Sequence, residues 1–132
     1  MNAFRNLALG LFFMTSTSLA SSVKSGLTYE SNNENFILKK ECVSSIRFNQ
    51  DVFDSEIHFS TSTQLKNSKE CSQKLNSIIK NNIGGRLQIY FNSKLLIDSF
   101  IASEISTEKG FRMPVENERS GKEIVQFYNK NN

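Results

Sequence analysis

Residues 71–91 read CSQKLNSIIKNNIGGRLQIYF, and a change of rhythm inside this stretch decides the fold class. Cys71, Leu75, Ile78, Ile79 and Asn82 recur at helical spacing and share one face. Lys66, Lys69, Lys74 and Lys80 lie mostly off that face. The period changes at Thr63, so the spacing predicts a helix over 63–82. Gly84-Gly85 stops it, because glycine tolerates the left-handed conformation of a helix C-terminus. From Arg86 the period falls to two. Leu87, Ile89 and Phe91 alternate with Arg86, Gln88 and Tyr90, as a half-buried strand requires.

Downstream, Asn92-Ser93 is a tight turn into a partner strand over 94–97. A connection over 100–105 carries Phe100, Ile101 and Ile105, with Phe100 assigned to the core. Glu108-Lys109-Gly110 is a turn, and 111–115 a last strand whose Pro114 suits an edge or an end. Ser120-Gly121-Lys122-Glu123 matches the S-x-x-E capping box and opens a short helix carrying Ile124, Val125, Phe127 and Tyr128. Upstream, Ile46 and Phe48 alternate, Asn49-Gln50-Asp51 is turn-like, and Ile57 and Phe59 alternate with Glu56 and His58. Two alternating runs joined by a polar turn read as an antiparallel hairpin. Phe36-Ile37-Leu38 is a further short strand. Residues 21–35 are polar and read as a flexible N-terminal arm, with one domain over 36–132. Strands, helix, strands, helix is an α+β order. It implies a mostly antiparallel sheet with two helices packed on one face.

The first twenty residues, MNAFRNLALGLFFMTSTSLA, have the form of a signal peptide. Arg5 gives the positive start, residues 7–14 the apolar run, and Ser18 and Ala20 the small residues of a cleavage site before Ser21. The run is too short to span a bilayer, so no stable membrane anchor is expected after cleavage. Cys42 and Cys71 are the two cysteines of the chain. An even pair in an exported protein implies a disulfide, here a strap from helix to sheet. The 16 basic residues are interspersed with 13 acidic ones, which argues against a nucleic-acid partner. The wealth of Asn, Ser, Lys and Ile suggests an AT-rich gene of the kind carried on mobile elements.

Residues 82–91, NIGGRLQIYF, with the following turn and strand and the helix at Ser120, resemble the periplasmic head of the first large loop in SecD-type translocase subunits. The resemblance runs over roughly residues 46–128. It implies that head's fold, a bacterial periplasmic setting and contact with polypeptide rather than catalysis.

Chemistry-bearing patterns are sparse. His58 is the single histidine, and beside Glu56 it reads as an exposed strand residue. A hydrolase built on Glu56 and His58 is the remotest reading. No phosphate loop, nucleophile elbow or dinucleotide fingerprint occurs, and the ligand types for a metal site are too few, so no cofactor is expected. Asp51-Val52-Phe53-Asp54 stands out, because a turn needs neither Val nor Phe. Asp51, Val52, Phe53, Asp54 and, less firmly tied to them, Tyr90 are the candidate partner-binding residues. The expected function is a non-catalytic periplasmic protein-binding domain, an immunity protein or inhibitor against a bacteriocin or wall-degrading enzyme. The alternative is an accessory to protein export or folding that binds unfolded chains.

Overall fold

The computed structural model describes residues 25–130; the expected signal peptide and the first residues of the expected arm lie outside them. Two hairpin-rich sheets carry the fold. In the first, β1 (Leu27–Ser31), β2 (Glu34–Ile37), β5 (Arg86–Phe91) and β6 (Lys94–Phe100) stand in the order β2-β1-β5-β6. In the second, β3 (Val43–Phe53), β4 (Glu56–Leu65) and β7 (Phe111–Val115) stand in the order β3-β4-β7. Every pairing is antiparallel. Helix α1 (Ser72–Asn81) packs on β1 and β2, and α2 (Glu118–Asn129) on the second sheet. The α+β class is as expected, with the sheet in two parts and a helix serving each.

The arm is a correction. Residues 27–31 form a strand inserted between β2 and β5, and Leu27 and Tyr29 are core residues. Leu27 and Tyr29 alternate with Thr28 and Glu30, but so short a run is hidden in a polar surround. Its burial comes from residues outside the run. Tyr29 rests on Phe36 and Phe111, with ring centroids 6.1 and 6.3 Å away.

Helix α1 is shorter than its periodicity suggested. Residues 63–65 instead complete β4, where Thr63 and Leu65 are buried across from Ile46 and Val43. The predicted face is intact: Cys71, Leu75, Ile78, Ile79 and Asn82 are all buried. Asn82 closes the C-terminus, donating to the Ile78 carbonyl at 2.7 Å and to Glu34 Oε2 at 2.9 Å. The N-cap of α2 is Asn117, not Ser120. Its side chain accepts the Ser120 N–H at 2.8 Å, so Ser120 lies in the first turn.

Cys42 and Cys71 are bonded. Cys42 ends the 3-10 turn Lys40–Cys42 that leads into β3, and Cys71 is the residue before α1. The bond therefore straps the helix start to the sheet side. β6 runs on to Phe100, which is exposed rather than in the core. β7 is an edge strand, which is where Pro114 is tolerated.

A candidate protein-binding hairpin

β3 and β4 form a long hairpin whose outer half leaves the body of the protein. Their register runs without a break from Ser45↔Gln64 to Phe53↔Glu56. β7 supports only Phe59–Thr63 of β4. Beyond that, residues 50–58 are all exposed. The turn is Asp54-Ser55, with φ of 54° and 65°. Two central residues at positive φ make the two-residue turn whose twist matches a hairpin.

The turn expected at 49–51 is thus a correction, and Val52 and Phe53 end a strand rather than sit in a loop. Of the polar residues that suggested a turn, Asn49 and Asp51 share one face of β3 and Gln50 lies on the other. Asn49 Nδ2 donates to Ser62 Oγ at 2.7 Å and Ser60 Oγ at 3.3 Å. Asp51 Oδ2 accepts from Arg112 at 3.1 Å. That ion pair is exposed on both sides, so it orients more than it stabilises.

The other face of the hairpin carries its apolar residues, interrupted by Gln50, Thr61 and Thr63. Near the body it carries Ile46, Phe48 and Phe59, and α2 covers it. Gly121 lets the helix approach so closely that a Cβ there would stand 2.6 Å from a Phe48 ring carbon. Phe48 and Phe59 stack at 5.9 Å. Past the end of the helix the same face continues as the cross-strand pair Val52↔Ile57, with nothing over it. Val52 is 71% exposed and Ile57 54%. Phe53, on the opposite face, is 67% exposed and meets the His58 ring edge-on at 6.2 Å.

Of the residues singled out in the sequence, Asp51, Val52, Phe53 and Asp54 come together at this tip. Tyr90 does not join them. It lies in the other sheet, half-buried, between Thr28 and Leu95 in the strand register. Sequence reasoning missed Ile57 as an exposed residue. Its alternation with Phe59 pointed inward, and only the length of the hairpin beyond α2 shows that the inward face has run out of core.

The tip carries Asp51, Asp54 and Glu56, with His58 Nε2 3.9 Å from Glu56 Oε2. The imidazole is more than half exposed, with Glu56 and the Phe53 ring beside it. Among the described residues no group of three or more His, Cys, Asp or Glu side chains is placed to hold a metal ion. The arrangement can dock on a surface: apolar side chains at the end of a rigid two-stranded arm, rimmed by carboxylates. No protein family matches the chain, and no curated protein or solved structure is significantly similar to it.

Proposed function

We propose that this chain is a non-catalytic protein-binding domain of the bacterial periplasm, acting as an immunity protein or inhibitor against a bacteriocin or a wall-degrading enzyme. The observation that carries the reading is the arm itself. Single exposed apolar residues are ordinary. Val52, Phe53 and Ile57 together, held out on a register-locked hairpin, are not spent on the protein's own core. A finger of this kind suits a concave target, where a few buried aromatic and aliphatic anchors dominate binding. The acidic rim favours a cleft with basic walls. The disulfide accords with an oxidising compartment, and no helix among the described residues is long and apolar enough to cross a membrane. The periplasmic setting draws further on the signal-like leader and the translocase-head resemblance.

The test is co-purification with, and protection against, the product of each gene neighbouring this one. A stoichiometric complex that is lost in Phe53→Ser with unchanged thermal stability supports the reading. Weak capture of many unfolded exported chains, with no preferred partner, replaces it with the export-accessory reading.

A further inference from the structure

The two sheets leave four strand edges, and three of them are blunted. β2 is only four residues long. β6 is broken by a bulge opposite Ile89 and Tyr90. β7 is short and contains Pro114. The fourth, β3, is eleven residues long and contains no proline. Its one irregularity is at its start, between Val43 and Ser45. Exposed edges are templates for pairing with another chain, and natural proteins normally protect them by such devices.

The hydrogen-bonding groups on this edge can be assigned. In a two-residue hairpin the flanking residues, here Phe53 and Glu56, exchange ladder bonds. Alternation then turns Asp51, Asn49 and Arg47 toward β4, and Val52, Gln50, Phe48 and Ile46 outward. The Ile46 carbonyl fits that parity, since it is met from outside the sheet by Asn129 Nδ2 of α2 at 3.4 Å. Beyond Ile46, none of the hydrogen bonds described for the backbones of Phe48, Gln50 and Val52 leaves the sheet.

We propose that β3 pairs antiparallel with β3 of a second copy of this chain, across a twofold axis at Gln50. The occupant is a second copy because the edge is self-complementary in this register. Phe48 faces the partner's Val52, and Val52 the partner's Phe48, so one operation gives each exposed Val52 an aromatic neighbour on its own face. Outward backbone groups meet outward backbone groups, and the two three-stranded sheets join into one of six. On the opposite face Arg47 meets the partner's Phe53, a cation beside an aromatic ring. A twofold pairing is closed, so it ends at a dimer instead of growing into a fibre. The inference concerns the hairpin described above but does not depend on any target.

The experiment uses the disulfide-intact mature chain, residues 21–132, in sedimentation and light scattering over a wide concentration range. The wild type is expected to move from monomer to dimer as concentration rises. Gln50→Pro removes an outward N–H without touching the ladder to β4, and Val52→Lys sets a charge against Phe48 of the partner subunit; both stay monomeric. Under mild oxidation Gln50→Cys cross-links across the axis, where Cα atoms about 5.5 Å apart lie within disulfide reach. Ile57→Cys, also exposed but one strand further in, does not. A monomer at every concentration overturns the proposal, as does dimerisation of Gln50→Pro or equal cross-linking through Ile57→Cys. Target binding is read separately with Ile57→Ser, exposed at the tip but one strand inside the dimer seam, so failure of the dimer and failure of the proposed function give different results.

Discussion

The Tyr128 hydroxyl accepts the Leu27 N–H at 2.6 Å, a bond between residues 101 apart in sequence. The same hydroxyl donates to the Leu38 carbonyl at 2.8 Å. One phenol on α2 thus closes the open end of the β1–β2 ladder, which would otherwise bury an unpaired donor and an unpaired acceptor. Tyr128→Phe keeps the ring and orphans both. A loss of about 2–3 kcal/mol is expected, measured by urea unfolding against wild type. A change below half a kcal/mol would show that water reaches both groups.

The same phenol gives a pH signature. Burial pushes the Tyr128 pKa up from 10.0 to about 12, against the Leu27 N–H, which favours the phenolate. The folded state therefore holds this proton more tightly than the unfolded state. The stability it contributes is complete below pH 10 and is lost as pH rises through about 12. Unfolding free energy measured across that window should fall in wild type, and the Tyr128 share of the fall should be missing in Tyr128→Phe.

Tyr29 should respond with the opposite sign. It is as deeply buried, but its hydroxyl has no hydrogen-bond partner among the described residues. Removing a buried group that is already unsatisfied costs nothing in bonds and relieves its desolvation. Tyr29→Phe is expected to be neutral or to stabilise by about 1 kcal/mol. Thermal melts of the two Tyr→Phe variants side by side would separate them, and equal destabilisation would refute the contrast.

Reduction of Cys42–Cys71 opens a loop spanning a sequence separation of 29. On the chain-entropy model the expected loss is about 3.5 kcal/mol. Cys42→Ala/Cys71→Ala should show the same loss in urea. The fold should persist, because Leu75, Ile78 and Ile79 hold α1 to the core independently of the bond.

Gly121→Val tests the approach of α2 to the hairpin root. An added Cβ would meet Phe48 ring carbons at 2.6 and 2.7 Å and Val115 Cγ2 at 3.1 Å. Valine carries more bulk into the same space, so the helix or the Phe48 ring must move. Overpacking of this kind costs about 2 kcal/mol. A variant as stable as wild type by thermal melting would mean that Phe48 swings freely into solvent.

Much of the framework was legible in the chain because the signals were local. The face of α1, the alternation of β5, the Asn92-Ser93 turn and the edge placement of Pro114 each depend on spacing within about a dozen residues. At Ser120 the capping-box pattern set the helix start three residues late; the extended backbone at Asn117, φ −152°, makes that residue the cap. At Asn49 and Asp51 polar composition imitated a turn, although those side chains were satisfied across the strands by Ser60, Ser62 and Arg112.

By itself, then, the sequence determined the α+β order, the pairing of its two cysteines and the presence of an apolar oddity at Val52-Phe53. Local periodicity and cysteine count suffice for those. Only the tertiary structure decided that residues 27–31 are a core strand, since Tyr128 and Phe111 reach them from far along the chain. It alone decided that Tyr90 is apart from the hairpin tip. It also fixed where the hairpin outruns α2, and so which of its alternating apolar residues are core and which, Val52 and Ile57, are left for another surface. Alternation says that a residue has an inner face; whether anything lies against that face is a property of the whole fold.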